Sequence, residues 1–174
     1  MRLTSFSNYA LRTLMFAALK GDRLSTTDEI SRAYRFPRPN VVKCVHLLGQ
    51  WGYLENVRGR GGGFRLARPA SEIIVGEVVR RTESRLDILE CFSPETNTCP
   101  LIEICALKVT FTKALQAFLR TLDQVSIADV TTRQALLAAK LGIERPTVAR
   151  AGTANATTSG VSARKARTRP GSKP

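Results

Sequence analysis

The chain has 174 residues, the size of a single domain with a short extension. Lys and Arg number 27 against 14 Asp and Glu, a formal charge of +13 that favours a nucleic-acid partner. Its longest apolar run, Leu14 to Leu19, is six residues against the roughly 20 of a membrane-spanning helix. Because Arg12 interrupts the only N-terminal apolar stretch, no secretory signal is predicted and we expect a cytoplasmic location without a membrane partner.

The first three predicted elements are helices. Apolar residues at helical spacing predict a helix from Ser5 to Leu19. A Ser-x-x-acid capping-box pattern predicts a second helix over residues 25–34, which Pro37 ends. A third helix is predicted from Arg38 to Gln50, and the three-residue turn before it is typical of a helix-turn-helix. Its predicted buried stripe consists of Val42, Val45 and Leu48.

A β-hairpin is predicted directly after the third helix. The side chains of residues 53–57 and 64–67 would alternate between two faces, as in two short strands. Four glycines lie from position 59 to position 63 at the tip. A helix-turn-helix followed by a Gly- and Arg-rich hairpin is a winged helix. The expected fold class is therefore mainly α: a winged helix-turn-helix with a β-hairpin wing and a long dimerisation helix.

The second half of the chain is predicted to contain three more helices, over residues 71–83, 106–122 and 129–141. The apolar face over residues 106–122 is too wide for one small winged domain to cover, so we expect a homodimer. The domain prediction is a DNA-binding winged domain at 1–83 and a cysteine loop with the dimerisation helix at 84–143. A disordered basic tail is predicted at 144–174, since that segment has no Leu, Ile or aromatic residue.

Basic and polar side chains on the third helix and the wing predict DNA binding. The helix side chains could contact base edges or phosphates in the major groove, and the wing arginines could reach the phosphate backbone or the minor groove. An ordinary flexible turn is the alternative for the glycine run, and a solvated or packing role is the alternative for His46. No Gly-Lys-Ser/Thr follows the glycines, which excludes a P-loop. The predicted DNA-binding residues are Arg38, Asn40, Lys43, His46, Arg58, Arg60 and Arg65.

Three cysteines, Cys91, Cys99 and Cys105, are spaced C-x7-C-x5-C in a segment without periodicity. Thiolates are soft ligands, and this spacing is wider than the paired cysteines of structural zinc sites, which favours an iron–sulfur cluster. A thiol redox switch, a zinc site and buried structural cysteines remain alternatives. Cys44 lies between apolar residues of the third helix, so packing is its expected role.

Several motifs of the chain resemble the Rrf2 family, whose members are dimeric bacterial winged-helix regulators with iron–sulfur clusters. The resemblance covers about residues 1–140 and implies a cluster at the three cysteines and binding of operator DNA. The segments 43–49, 91–99 and 105–108 are most similar to the nitric-oxide-sensing repressors of the family, which implies that nitric oxide nitrosylates the cluster and releases the DNA. The motifs that carry the resemblance are residues 1–6, 8–12, 57–66 and 69–73 and the three cysteines.

Two positions depart from patterns of the family. Asn8 stands where some nitric-oxide sensors supply an Asp ligand from the partner chain, and Lys108 stands where other members have a His. The fourth ligand is thus left open, as is the choice between [2Fe–2S] and [4Fe–4S]. The same Asn and the same cysteine spacing also resemble the rhizobial iron-responsive regulator of the family, which is the alternative function. A redox enzyme or electron carrier is disfavoured because an arginine-rich wing has no use there, and an architectural DNA-binding protein is the remaining alternative.

Overall fold

A computed structural model of the chain describes residues 2–143. It is mainly helical with one antiparallel hairpin, which confirms the predicted winged helix-turn-helix. The predicted tail at 144–174 lies outside the described residues. Short 3₁₀ turns cover Ala70–Glu72 and Glu90–Phe92. The strands are β1 (Leu54–Val57) and β2 (Gly63–Leu66), and the helices are α1 (Ser5–Lys20), α2 (Thr27–Tyr34), α3 (Arg38–Gln50), α4 (Val75–Thr82), α5 (Ala106–Asp123), α6 (Ile127–Val130) and α7 (Gln134–Lys140).

The helix-turn-helix comprises α2 and α3. Helix α2 begins with a capping box one residue later than the predicted Ser25-x-x-Asp28 pattern, since Ser25 pairs with Phe64. The Thr26 hydroxyl accepts from the Glu29 backbone N–H, and the Glu29 carboxylate accepts from the Thr26 N–H. The helix ends at Arg35, which has a left-handed backbone with φ 55°. The next backbone N–H, that of Phe36, donates to the Ser31 carbonyl at 3.1 Å and turns the chain sharply into α3.

The wing is a hairpin in which Leu54 pairs with Leu66 and Val57 pairs with Gly63. Ser25, between α1 and α2, extends this sheet by exchanging two backbone hydrogen bonds with Phe64, at 2.7 and 2.8 Å. A Cβ atom on Gly63 would lie 2.4 Å from the Ser25 carbonyl oxygen, so this close approach requires glycine. Strand β2 is thus held by main-chain hydrogen bonds on both edges, by β1 on one side and by Ser25 on the other.

The core lies between α1, α3, α4 and the base of the wing, and Leu14, Tyr53 and Phe64 are among its fully buried side chains. The stripe predicted for α3 is correct at two positions and wrong at Val42, which is 44 % exposed. The helix instead buries residues at positions i, i+3, i+4 and i+7, a spacing that places them on one face. These residues are Val41, Cys44, Val45 and Leu48.

Two predicted helices are each interrupted. The helix predicted at 71–83 is wrong in its first four residues, because the backbone at Ile73 and Ile74 is extended and pairs with the chain after α5. Val75 N–H donates to the Val125 carbonyl at 2.8 Å, and Ile127 N–H donates to the Ile73 carbonyl at 2.9 Å. The helix predicted at 129–141 is divided into α6 and α7. Both helices contact α1, and three apolar residues of residues 127–143 join the core: Ile127, Ala138 and Ile143.

Helix α5 is long and has no fully buried residue. Its C-terminal end is fixed to α4 by a bidentate ion pair between Arg80 and Asp123, with nitrogen–oxygen distances of 2.5 and 2.6 Å. Leu122 packs on the core. The rest of its apolar face is half-buried at Phe111, Leu115, Phe118 and Leu119 and exposed at Leu107, so no second layer within residues 2–143 covers this face. Within residues 2–143, no helix is long and apolar enough to cross a membrane.

Candidate DNA-binding surface and cysteine loop

The exposed face of α3 carries the predicted DNA-contacting side chains. Asn40, Lys43 and His46 are exposed, because the opposite face of the helix faces the core. Arg38, the first residue of α3, is also exposed, and its Nε donates to an Asp28 carboxylate oxygen at 2.5 Å. The helix thus presents two cations, an amide and an imidazole to solvent, which are groups that bind phosphates and base edges.

The three predicted DNA-contacting arginines of the wing have two different environments. Arg58 and Arg60, at the tip, are exposed and form no ion pair within residues 2–143. Arg65 is half-buried on β2, and its Nε donates to Glu55 at 2.9 Å across the hairpin. The tip arginines can follow a phosphate backbone, whereas Arg65 is already oriented by an acid.

The acid partners of Arg38 and Arg65, two of the predicted DNA-contacting arginines, were not predicted from the sequence. The hairpin register would have revealed Glu55, since it stands directly opposite Arg65. Asp28 gave no comparable signal, because it is separated from Arg38 by the turn of the helix-turn-helix. The structure also places the Arg12 guanidinium 5.5 Å from the ring centres of Tyr34 and Phe36, a cation–π contact beside that turn.

The three loop cysteines lie between α4 and α5. Each is a free, half-buried thiol: Cys91 in the second 3₁₀ turn, Cys99 further along the loop and Cys105 at the start of α5. Across residues 2–143, no group of three Cys, His, Asp or Glu side chains is close enough to hold a metal ion. The single chain therefore places three thiols, which are potential metal ligands, in one segment but does not bring them together at one point.

Few contacts hold the cysteine loop. Arg85, at the start of the loop, donates to the Ser93 hydroxyl and to the Glu95 carboxylate further along the same loop, both at 2.6 Å. Within the loop, the Cys99 backbone N–H donates to the Asn97 side chain at 3.3 Å. A segment with so few buried contacts can rearrange at low cost in free energy.

A buried carboxylate connects the start of the cysteine loop to α1. Glu83, which follows α4, is 9 % exposed and accepts from the Thr4 backbone N–H at 2.7 Å and from the Thr4 hydroxyl at 3.0 Å. The Ser7 hydroxyl also contacts this carboxylate and lies 2.7 Å from the Thr82 hydroxyl. Asn8, one of the two positions that depart from the family patterns, is exposed and follows Ser7 directly in α1. We call this arrangement the Glu83 cluster, comprising Thr4, Ser7, Thr82 and Glu83.

Cys44 has a different environment from the loop cysteines. It is fully buried in the core, as expected for a packing residue. Burial raises the pKa of its thiol to about 12, because the thiolate would lose its hydration there. Cys44 is therefore a poor nucleophile and a poor metal ligand in the folded chain.

The sequence is similar to known transcriptional regulators over most of its length. Residues 3–133 match the Rrf2 family, described as an iron-dependent transcriptional regulator. The chain is 40 % identical over 145 residues to the HTH-type transcriptional regulator NsrR of Halalkalibacterium halodurans, covering 83 % of this chain and 99 % of that protein. It is 40 % identical over 131 residues to NsrR of Bacillus subtilis, covering 75 % and 90 %. The Rhizobium meliloti protein aau3 is 42 % identical over 146 residues, covering 84 % and 95 %.

Solved structures share the fold. IscR of T. potens superposes with a TM-score of 0.61 at 20 % identity, covering 76 % of this chain and 88 % of that one. The oxidised form of Staphylococcus aureus CymR gives a TM-score of 0.60 at 24 % identity, covering 75 % and 95 %. The family match and the extent of the similarity to NsrR proteins agree with the winged helix found here. The chain therefore belongs to the Rrf2 family of transcriptional regulators and is not an enzyme.

Proposed function

We propose that the protein is a DNA-binding repressor that senses nitric oxide through an iron–sulfur cluster bound by Cys91, Cys99 and Cys105. The observation that carries the proposal is the 40 % identity to an NsrR regulator over 99 % of that protein's length. The three free thiols in one segment between α4 and α5 support it. A regulator of this kind works on chromosomal DNA, so its site of action is the cytoplasm.

The DNA-binding part of the proposal depends on two copies of the chain. In a homodimer formed through the apolar face of α5, the two α3 helices would enter successive major grooves of a two-fold operator, roughly 34 Å apart. The exposed Asn40, Lys43 and His46 would face base edges and phosphates. The tip arginines Arg58 and Arg60 would contact the backbone beside each half-site.

The donor set fits an iron–sulfur cluster, since cysteine thiolates are the usual ligands of such clusters. A bound cluster supplies iron that reacts with nitric oxide. The chain contributes three thiols that are not engaged in disulfides and a loop with few other contacts. We assign no fourth ligand, because Asn8 offers only a neutral amide and Lys108 a cationic amine.

The position of the loop can couple the cluster to DNA binding. Its first residues follow the Glu83 cluster, which connects to α1, and its last cysteine begins α5, the proposed dimer helix. A rearranged loop would therefore change the distance and the angle between the two winged domains of a dimer. A difference of a few kcal/mol in favour of wrongly spaced α3 helices is enough for a switch.

The first experiment is an anaerobic absorbance spectrum of the purified chain, with iron and acid-labile sulfide measured per chain. We expect a visible charge-transfer band with matching iron and sulfide, and their ratio to the chain distinguishes [2Fe–2S] from [4Fe–4S]. The Cys99→Ser variant should lose both, whereas Cys44→Ala, which removes a thiol outside the loop, should retain both. Colourless wild-type protein after cluster reconstitution would overturn the cluster and favour a thiol switch or a zinc site.

The second experiment tests the effector. The cluster-loaded protein is used to select duplexes from a random library. The complex of the protein with a selected duplex is then titrated with nitric oxide, and we expect release of the DNA. Persistent DNA binding by Cys99→Ser, equal to that of the wild type, would indicate an architectural DNA-binding protein. An iron- or cluster-supply-responsive regulator is the second candidate, favoured by the description of the family as iron-dependent. Release by iron chelation but not by nitric oxide would select it.

A further inference from the structure

An acidic side chain stands on the surface that is proposed to face DNA. Asp28 lies in the first turn of α2, and its Oδ1 accepts from Arg38 Nε at 2.5 Å. Both side chains are well exposed, 62 % for Arg38 and 58 % for Asp28. An exposed ion pair of this kind contributes little to stability, and a carboxylate near phosphates repels them. The pair therefore needs a reason other than stabilising the free protein.

The geometry of the pair leaves one edge of the arginine available. A guanidinium has five N–H donors, and the one on Nε is used by Asp28. The four donors on the two terminal nitrogens remain, and two of them together match the O6 and N7 acceptors of guanine. Arg38 is the first residue of α3, and the N-terminal residues of a recognition helix are those that contact base edges.

We propose that Asp28 is a positioning residue that orients Arg38 to recognise one guanine in each half-site. The proposal rests on the DNA binding described under the proposed function. By holding Nε, Asp28 restricts the long arginine side chain before DNA arrives, so less conformational entropy is lost when the terminal nitrogens meet the base. The carboxylate reduces attraction to phosphate in general and increases discrimination among sequences.

The wing provides an internal comparison. Glu55 holds Arg65 Nε at 2.9 Å in the same manner, but on β2 rather than at the start of α3. Removing either acid removes one negative charge from the proposed DNA-binding surface. Only removal of Asp28 should alter the base preference that Arg38 determines. Glu55→Ala is therefore a charge-matched control.

The test is a selection of random duplexes with the full-length, cluster-loaded protein, followed by affinity measurements on the selected duplex and on one with a single changed base. Wild type should select a guanine at one position of each half-site, and Arg38→Ala should lose that preference. Asp28→Ala should lower discrimination at the same position by about tenfold, the scale of a bidentate arginine–guanine contact. Its binding to unrelated DNA should not weaken, because a repulsive charge has been removed. Asp28→Glu should restore part of the preference.

The outcomes separate this inference from the proposed function. If wild type selects no sequence, the proposed operator binding fails. If wild type selects a guanine that depends on Arg38 but Asp28→Ala keeps the full preference, the positioning role alone is refuted, and Asp28 acts only as an acid at the start of α2. In the Arg38→Ala background, Asp28→Ala should have no further effect on discrimination, and an effect there would also contradict the proposal. Thermal unfolding of each variant checks that the domain remains folded.

Discussion

Replacing Glu83 with alanine measures how strongly the start of α1 is attached to the end of α4. The carboxylate is buried and accepts two hydrogen bonds from Thr4, at 2.7 and 3.0 Å, besides its contact with Ser7. Hydrogen bonds to a charged group contribute roughly 1.5–3 kcal/mol each and are not additive. Since the variant also leaves the Thr4 N–H without its partner, we expect the free energy of unfolding to fall by about 3 kcal/mol.

The assay is unfolding of the same cluster-free preparation of each variant, followed by far-UV circular dichroism during heating and during addition of urea. For a domain of this size, a loss of about 3 kcal/mol lowers the melting temperature by roughly 6–12 °C. Glu83→Gln keeps one acceptor oxygen and should lose about half as much free energy. The exposed Glu72→Ala is the control and should change stability by less than about 0.5 kcal/mol. A loss below about 1 kcal/mol for Glu83→Ala would refute the structural role of the cluster.

Three further predictions concern other parts of the molecule. In the native, cluster-free protein at about pH 8, Cys44 should resist alkylation while the three loop thiols react, because burial raises the pKa of Cys44 to about 12. Mass spectrometry measures the labelling, and equal rates at all four thiols would contradict the burial of Cys44. Arg58→Ala should weaken binding to the selected duplex and reduce the salt dependence of that binding without changing the iron content. Loss of iron in this variant would contradict the assignment of Arg58 to a DNA-binding wing. Gly63→Ala should destabilise the fold by about 1–3 kcal/mol, because its new methyl group would meet the Ser25 carbonyl 2.4 Å away. An unchanged urea midpoint would show that β2 can move away from Ser25 without cost.

Local signals predicted the first half of the fold well. The capping box, Pro37 and the glycines of the wing determine their turns through short-range backbone chemistry, and all three are read from neighbouring residues. The strands of the hairpin agree with the structure to within one residue. The predicted stripe places Val42 on the wrong face because Val41 and Val42 are equally apolar. Only Val41 lies three positions before Cys44, which belongs to the buried stripe.

Long-range pairing explains what the sequence did not reveal. Ile73 and Ile74 are extended because their backbone bonds to the segment after α5, some fifty positions later, and no local pattern encodes that contact. The same holds for Glu83, which is an ordinary helix-end acid by sequence and a buried acceptor in the structure. The spacing of the loop cysteines indicated their chemistry but not their mutual distances. The DNA-contacting and cluster-binding residues stay predictions.

The attachment of α5 has a mechanical consequence. Its C-terminal end is held against α4 by the ion pair at Asp123, and a Cβ atom on Gly76 would lie 2.1 Å from the Asp123 carboxylate, so this end has no room to slide. Its other end continues from Cys105 and the weakly tethered loop. The helix is therefore a lever with its pivot at Asp123. Over its 18 residues, about 27 Å, a displacement of about 1 Å at Cys105 requires a rotation of only about 2° at the pivot. Motion of the cysteine loop would then reach the dimer helix as a small change in angle, with the packing of the pivot intact.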